Sequence, residues 1–129
     1  MEPTPSPELE RFVKAKQVLL TTYRKDGTPV GTPVNIAVVG PVAYARTWDA
    51  TGKIKRIRNN PQVEIAPCAG RGRVTGEPLK MTARILDGEE SGAAGTAIEA
   101  KHPILQGRIV PLFHRLRHLG TTHIELTPV

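Results

Sequence analysis

Residues 17–48, QVLLTTYRKDGTPVGTPVNIAVVGPVAYARTW, decide the fold. Val18 to Tyr23 is a run of β-branched, aliphatic and aromatic residues of the kind that suits a pleated, half-buried surface. The Asp26-Gly27 pair within Arg24 to Thr28 is a hairpin signal. The pattern resumes over 29–39 and stops at Gly40-Pro41, and Val42 to Trp48 makes a third strand. Three strands in a row without an intervening helix exclude a doubly wound parallel sheet and predict an antiparallel meander. Neither G-x-G-x-x-G nor G-x-x-x-x-G-K-[ST] occurs, so the usual nucleotide-binding loops are absent.

Working outward, the pattern predicts a short helix over 7–16, with Ser6 as N-cap and Pro7 at the first helical position. Residues 1–7, rich in proline, read as a flexible arm, and 8–129 as a single domain. Lys53 to Arg58 predicts a helix that places Ile54 and Ile57 on one face and ends before Asn60-Pro61. Gln62 to Cys68 is a fourth strand, and Val74 to Leu86 a fifth, bent at Gly76 or Pro78. Residues 88–101 are helical in composition, though weakened by Gly92 and Gly95. A further helical piece is expected over 112–119, and Thr121 to Pro128 alternates as a sixth strand. The expected fold class is mainly β with short helices (α+β), a small barrel of six or so antiparallel strands.

The chain's 129 residues suit one domain, with 39% hydrophobic and 23% charged residues as in ordinary globular proteins. No apolar run is long enough to span a membrane, and the first residues lack the basic and apolar regions of a secretory signal. The lone Cys68 cannot form an internal disulfide. A cytoplasmic protein is expected. So small a core leaves little room to enclose a cofactor as well, so a site shared between subunits is the better expectation.

Charge is uneven. Residues 42–73 carry seven basic and two acidic side chains, most of the chain's net +6. Four of them, Lys53, Lys55, Arg56 and Arg58, fall within six residues at a predicted helix start, where the helix dipole is already positive. A phosphate or carboxylate would remove that conflict by using both the free N–H groups and the side chains. A solvated basic helix face is the competing reading. Nucleic acid is disfavoured, because no base-reading motif accompanies the patch.

Nucleophilic and metal chemistry find little support. Ser6 and Ser91 lie outside any G-x-S-x-G motif, and Cys68 reads as a small hydrophobe at a strand end. His114 and His118 have i,i+4 spacing but no third ligand, so no metal site is expected. Without a nucleophile or paired carboxylates, chemistry borrowed from a cofactor becomes the leading expectation, and no catalytic side chain is assigned.

The stretches LLTTYRKDGTPVGTPV (19–34), Arg46-Thr47, GKIKRIRNNPQV (52–63) and Ala66-Pro67-Cys68 together resemble the deazaflavin-dependent members of the pyridoxamine 5′-phosphate oxidase-like superfamily. The resemblance covers roughly 8–128 and is densest over 19–76. It implies a split β-barrel, assembled as a homodimer with cofactor sites at the subunit interface. It also implies coenzyme F-420, an 8-hydroxy-5-deazaflavin, as cofactor, with FMN used by sister groups. The activity implied is hydride transfer between that deazaflavin and a small unsaturated or quinone-like substrate. Carried over by position, Lys53, Lys55 and Arg56 match the phosphate clamp, and Arg46 and Thr47 match strand residues that approach the phosphate and ribityl chain. Thr32, Pro33, Val34 and Asn35 match the strand whose backbone lies along the ring system. Relatives often carry a bulky aromatic after the Pro-Val of that strand, where this chain has Asn35-Ile36. Two alternatives stand beside this reading: an FMN-binding flavin reductase or oxidase of the same fold, and a non-catalytic protein that carries a coenzyme or binds other anions.

Overall fold

The computed structural model of the chain describes residues 5–48, 52–70, 72–101 and 121–129. Among these residues seven strands are present: β1 (Gln17–Tyr23), β2 (Pro29–Val39), β3 (Val42–Trp48), β4 (Gln62–Ala69), β5 (Arg73–Val74), β6 (Leu79–Leu86) and β7 (Thr121–Pro128). Helix α1 (Gly52–Asn59) lies between β3 and β4, and α2 (Gly88–Lys101) follows β6. The strands pair in the order β1-β2-β3-β7-β6-β4, every pair antiparallel, and β4 pairs back onto β1. The result is a closed six-stranded antiparallel barrel, with the two-residue β5 added on the outside of the closed ring by pairing with β4. Closure leaves the six long strands without a free edge.

Alternation along each strand fills the interior. Val18, Leu20, Val34, Ile36, Ala43, Ala45, Val63, Ile65, Met81, Ala83, Ile124 and Leu126 are buried and form one core. A barrel of this size is filled by its own side chains. Both mouths are also plugged. At the mouth where β1, β3 and β6 finish, α1 inserts Ile54 and Ile57 into the core. At the other, Leu9 and Phe12 are fully buried in it. Any ligand site must therefore lie on the outside or at a rim.

Two local expectations need correction. The helix expected over 7–16 is a single 3-10 stretch, Pro7–Phe12. Ser6 makes no side-chain cap, and burial of Leu9 and Phe12 in the barrel mouth sets the conformation in place of helix propensity. The Ser6 N–H donates to the Gly40 carbonyl at 3.2 Å, so the arm is tied to the barrel by its sixth residue. The bent fifth strand is two strands, β5 and β6, interrupted over 75–78. There the Thr75 N–H turns to the Pro67 carbonyl at 2.8 Å, and Gly76 packs so close to the Pro67 ring that an added Cβ would come within 3.1 Å of it. The Asp26-Gly27 hairpin forms as expected: Gly27 takes a φ of +90°, and the Thr28 N–H donates to the Asp26 carboxylate at 3.0 Å. The helix expected over 112–119, with His114 and His118, lies outside the described residues.

Helix α2 runs down the outer surface over β2, β3 and β7, burying Ala94, Gly95 and Ile98. Its last residue fastens it: Lys101 Nζ donates to the Ala15 carbonyl at 2.5 Å. Burial holds the Lys101 ammonium down at about 8. The unfolded chain therefore binds more protons than the folded one between that value and about 10.4, and stability should rise with pH across this window. The half-exposed setting limits the gain to on the order of 1 kcal/mol. Urea unfolding at pH 7.5 and 10 should show Lys101→Met flattening this rise relative to the wild type; an unchanged slope would contradict it.

Candidate functional site

Strand parity divides the expected site residues between two places. Thr47 and Arg46 are neighbours on β3, so they face opposite sides of the sheet. Thr47 is buried at the barrel mouth, where its Oγ1 accepts from Lys53 Nζ at 2.7 Å. Lys53 is itself only 6% exposed. On β1, the buried Thr22 hydroxyl accepts from Arg56 Nε at 2.6 Å. The four cations of α1 thus separate into two pairs. Ile54 and Ile57 anchor the helix, Lys53 and Arg56 turn toward the barrel rim, and Lys55 and Arg58 stay exposed.

No carboxylate among the described residues pairs with Lys53 or Arg56; their partners are two threonine hydroxyls. Burial lowers the proton affinity of the Lys53 amine, and the nearby Arg56 charge lowers it further. A hydroxyl can accept from an ammonium but cannot neutralise it. An anion at this rim would supply the missing charge. The Lys53 ammonium has three donors and Thr47 uses one of them.

Arg46, expected to reach the same cluster, lies elsewhere. Its guanidinium is on the outer face beneath α2, where Nε donates to His123 Nε2 at 3.1 Å and Nη2 pairs with Glu99 Oε1 at 3.4 Å. Nη2 also lies 3.5 Å from the Gly95 carbonyl. His123 Nδ1 is 2.6 Å from Ser91 Oγ. Because an arginine only donates, His123 Nε2 is the acceptor, and the neutral ring carries its proton on Nδ1. Nδ1–H therefore donates to Ser91. That polarity is the reverse of a nucleophilic serine–histidine pair, in which the ring must accept the hydroxyl proton. The cluster orients groups; it does not activate Ser91.

On β2, Val34 is buried in the core opposite Val18, so only its backbone is available to a ligand. Thr32 sits opposite Leu20, half-buried. Pro33 faces outward with Leu19, against Gly72. Asn35 is half-buried and paired with Arg46, on the outer face. The structure thus brings together Thr47, Lys53 and Arg56 at the rim, places Asn35 beside Arg46 outside, and leaves Lys55 in solvent. Cys68 is half-buried opposite Val74, and burial raises its thiol.

Sequence reasoning missed Thr22, Glu99 and His123, and weighed Ser91 only as a nucleophile. Thr22 carried a signal, as the third inward position of an alternating strand. His123 meets Arg46 only through the β3–β7 pairing, across 77 residues, Glu99 only because α2 packs over β3, and Ser91 reaches the cluster through His123.

No known sequence-family profile matches the chain, and no curated protein matches it in sequence. Solved structures do match the fold. A Clostridium acetobutylicum protein related to general stress protein 26 of Bacillus subtilis, of the pyridoxinephosphate oxidase family, superposes with a TM-score of 0.64 at 17% identity, over 94% of this chain and 80% of that one. An F420 reductase superposes with a TM-score of 0.61 at 18% identity, covering 98% and 96%. HutZ, a heme storage protein of Vibrio cholerae, gives 0.68 at 16% identity, covering 96% and 89%. The chain has the split-barrel fold of the pyridoxamine 5′-phosphate oxidase-like proteins, a fold that serves oxidoreductases among others. No helix among the described residues is long and apolar enough to cross a membrane.

Gly95 makes the Arg46 cluster possible: an added Cβ would stand 3.2 Å from His123 Nε2 and 3.3 Å from Arg46 Nη2. Gly92, one turn earlier, has open space. Gly92→Ala should therefore raise stability by about 1 kcal/mol through helix propensity. Gly95→Ala should gain less or lose, because the arginine must shift. Paired urea melts test this; equal gains at both sites would contradict the packing.

Proposed function

We propose that the chain is a homodimeric oxidoreductase dependent on coenzyme F-420, reducing a small unsaturated or quinone-like substrate. The single observation carrying this reading is the pair of buried-side cations, Lys53 and Arg56, held by hydroxyls and lacking a carboxylate among the described residues. A protein keeps such a pair at a rim when an anion completes it. The split-barrel fold and the sequence stretches over 19–68 that resemble deazaflavin-dependent proteins point to a cofactor phosphate as that anion.

In this reading Lys53, Lys55 and Arg56 hold the phosphate, and Thr47 with the backbone of 32–35 lines the remainder, while Arg46, held beneath α2 on the outer face, takes no part. Bound deazaflavin supplies two-electron hydride chemistry, which the described side chains do not offer. The protein's own work is positioning. Thr47 and Thr22 fix the two cations before the ligand arrives, so less conformational entropy is lost on binding. The filled interior and plugged mouths support a site completed by a second copy.

Two measurements test the reading. Lys53→Met with Lys55→Ala should weaken binding of added F-420, followed by its fluorescence, at least tenfold, since one charge-assisted hydrogen bond is worth about 1.5–3 kcal/mol. Thermal stability should not fall, because a buried charge without a counter-ion is removed. Undiminished binding would refute the clamp. A purified protein carrying yellow FMN would favour the sister chemistry. Light scattering at micromolar concentration should report twice 14.0 kDa; a monomer would remove the shared site.

A further inference from the structure

An open cleft of about 610 Å³ lies between α1 and the start of α2, lined by Ile54, Arg58, Ile85, Leu86, Ser91 and Thr122, with Asp87 and Gly88 also on its wall. Its volume is that of a small-molecule site. None of its residues belongs to the phosphate clamp. Ile54 and Leu86 are almost wholly buried, so the open lining is mainly polar, and Arg58 supplies a cation with no carboxylate partner among the described residues.

Ser91 is the decisive group. Its Oγ accepts from His123 Nδ1–H, whose tautomer is set by Arg46, which is braced in turn by Glu99. With one lone pair so engaged, the hydroxyl proton has no second partner among the described residues. It could have bonded back to the Asp87 carbonyl, as helical serines do. That carbonyl instead takes the Ser91 N–H at 3.2 Å. A four-residue relay therefore fixes a serine oxygen whose O–H remains available in a cleft that also holds an arginine.

We infer that this cleft binds a small monocarboxylate, the carboxylate receiving Ser91 O–H and Arg58. The donors select an anion. Asp87 on the wall opposes a second negative charge. The site is independent of the deazaflavin reading, since it shares no residue with the cations at the barrel mouth.

The test uses the full ¹⁵N-labelled chain, titrated with sodium benzoate at constant ionic strength and, separately, with benzyl alcohol. Benzoate should shift the amides of Gly88, Ser91 and Thr122 saturably. Ser91→Ala, a change that favours the helix, should weaken benzoate about tenfold, the scale of one charge-assisted hydrogen bond. Arg58→Gln should weaken it similarly, and benzyl alcohol, which lacks the carboxylate, should not shift these amides saturably. Absence of saturable shifts, shifts confined to Lys55 and Arg56, or undiminished benzoate binding by Ser91→Ala would each overturn the proposal. Affinity for F-420, followed by fluorescence in the same variants, reports on the other reading alone.

Discussion

Helix α1 has to cross the barrel mouth, and much of the site follows from that constraint. In the ring of six strands β3 and β4 stand diametrically opposite, yet the end of one and the start of the other share a rim. Eight helical residues, about 12 Å, make the crossing. A helix laid over an apolar core must turn one side into it, and Ile54 and Ile57 are that side. Lys53 and Arg56 flank them on the helix and are carried to the rim, where the nearest polar groups are the inward threonines of β1 and β3. Cations brought there by packing, with hydroxyls and no acids to meet them, constitute an anion-seeking rim.

The outer surface obeys a second rule, strand parity. One step along β3 exchanges Thr47, inside, for Arg46, outside, and the two take part in separate clusters. Arg46 is covered by α2 only because the helix is thin at Gly95. Burial disfavours the charged guanidinium, while Glu99 opposes that effect. The helix that looked weakened by its glycines has one of them where a guanidinium must pass beneath it.

The barrel was legible because its strands alternate and its turns carry specific chemistry. Val18, Leu20 and Thr22 announce one face, and Asp26-Gly27 announces a hairpin. The N-terminal 3-10 stretch was not legible, because Leu9 and Phe12 fit a helix stripe and a barrel plug equally well. The basic cluster stood out by charge alone, but its division into two inward and two outward cations depends on which face the barrel demands. The cluster around Arg46 was invisible, since His123 reaches it through pairing between strands far apart in the chain. Periodicity reports what a residue does with its near neighbours; register across 77 residues has no local signature.

The place of β7 carries a consequence for how the fold is reached. It is inserted between β3 and β6, as a stave of the barrel and not as an edge. Until residues 121–128 leave the ribosome, β3 and β6 have no strand between them, and the nascent barrel stands open along one seam with Ala43, Ala45, Met81 and Ala83 exposed to water. Closure must join segments far apart in the chain, which makes the folding barrier largely entropic and the search slow. Such a chain spends its synthesis as an incomplete sheet with two unsatisfied edges, the state in which strand-rich proteins are most prone to pair with the wrong neighbour.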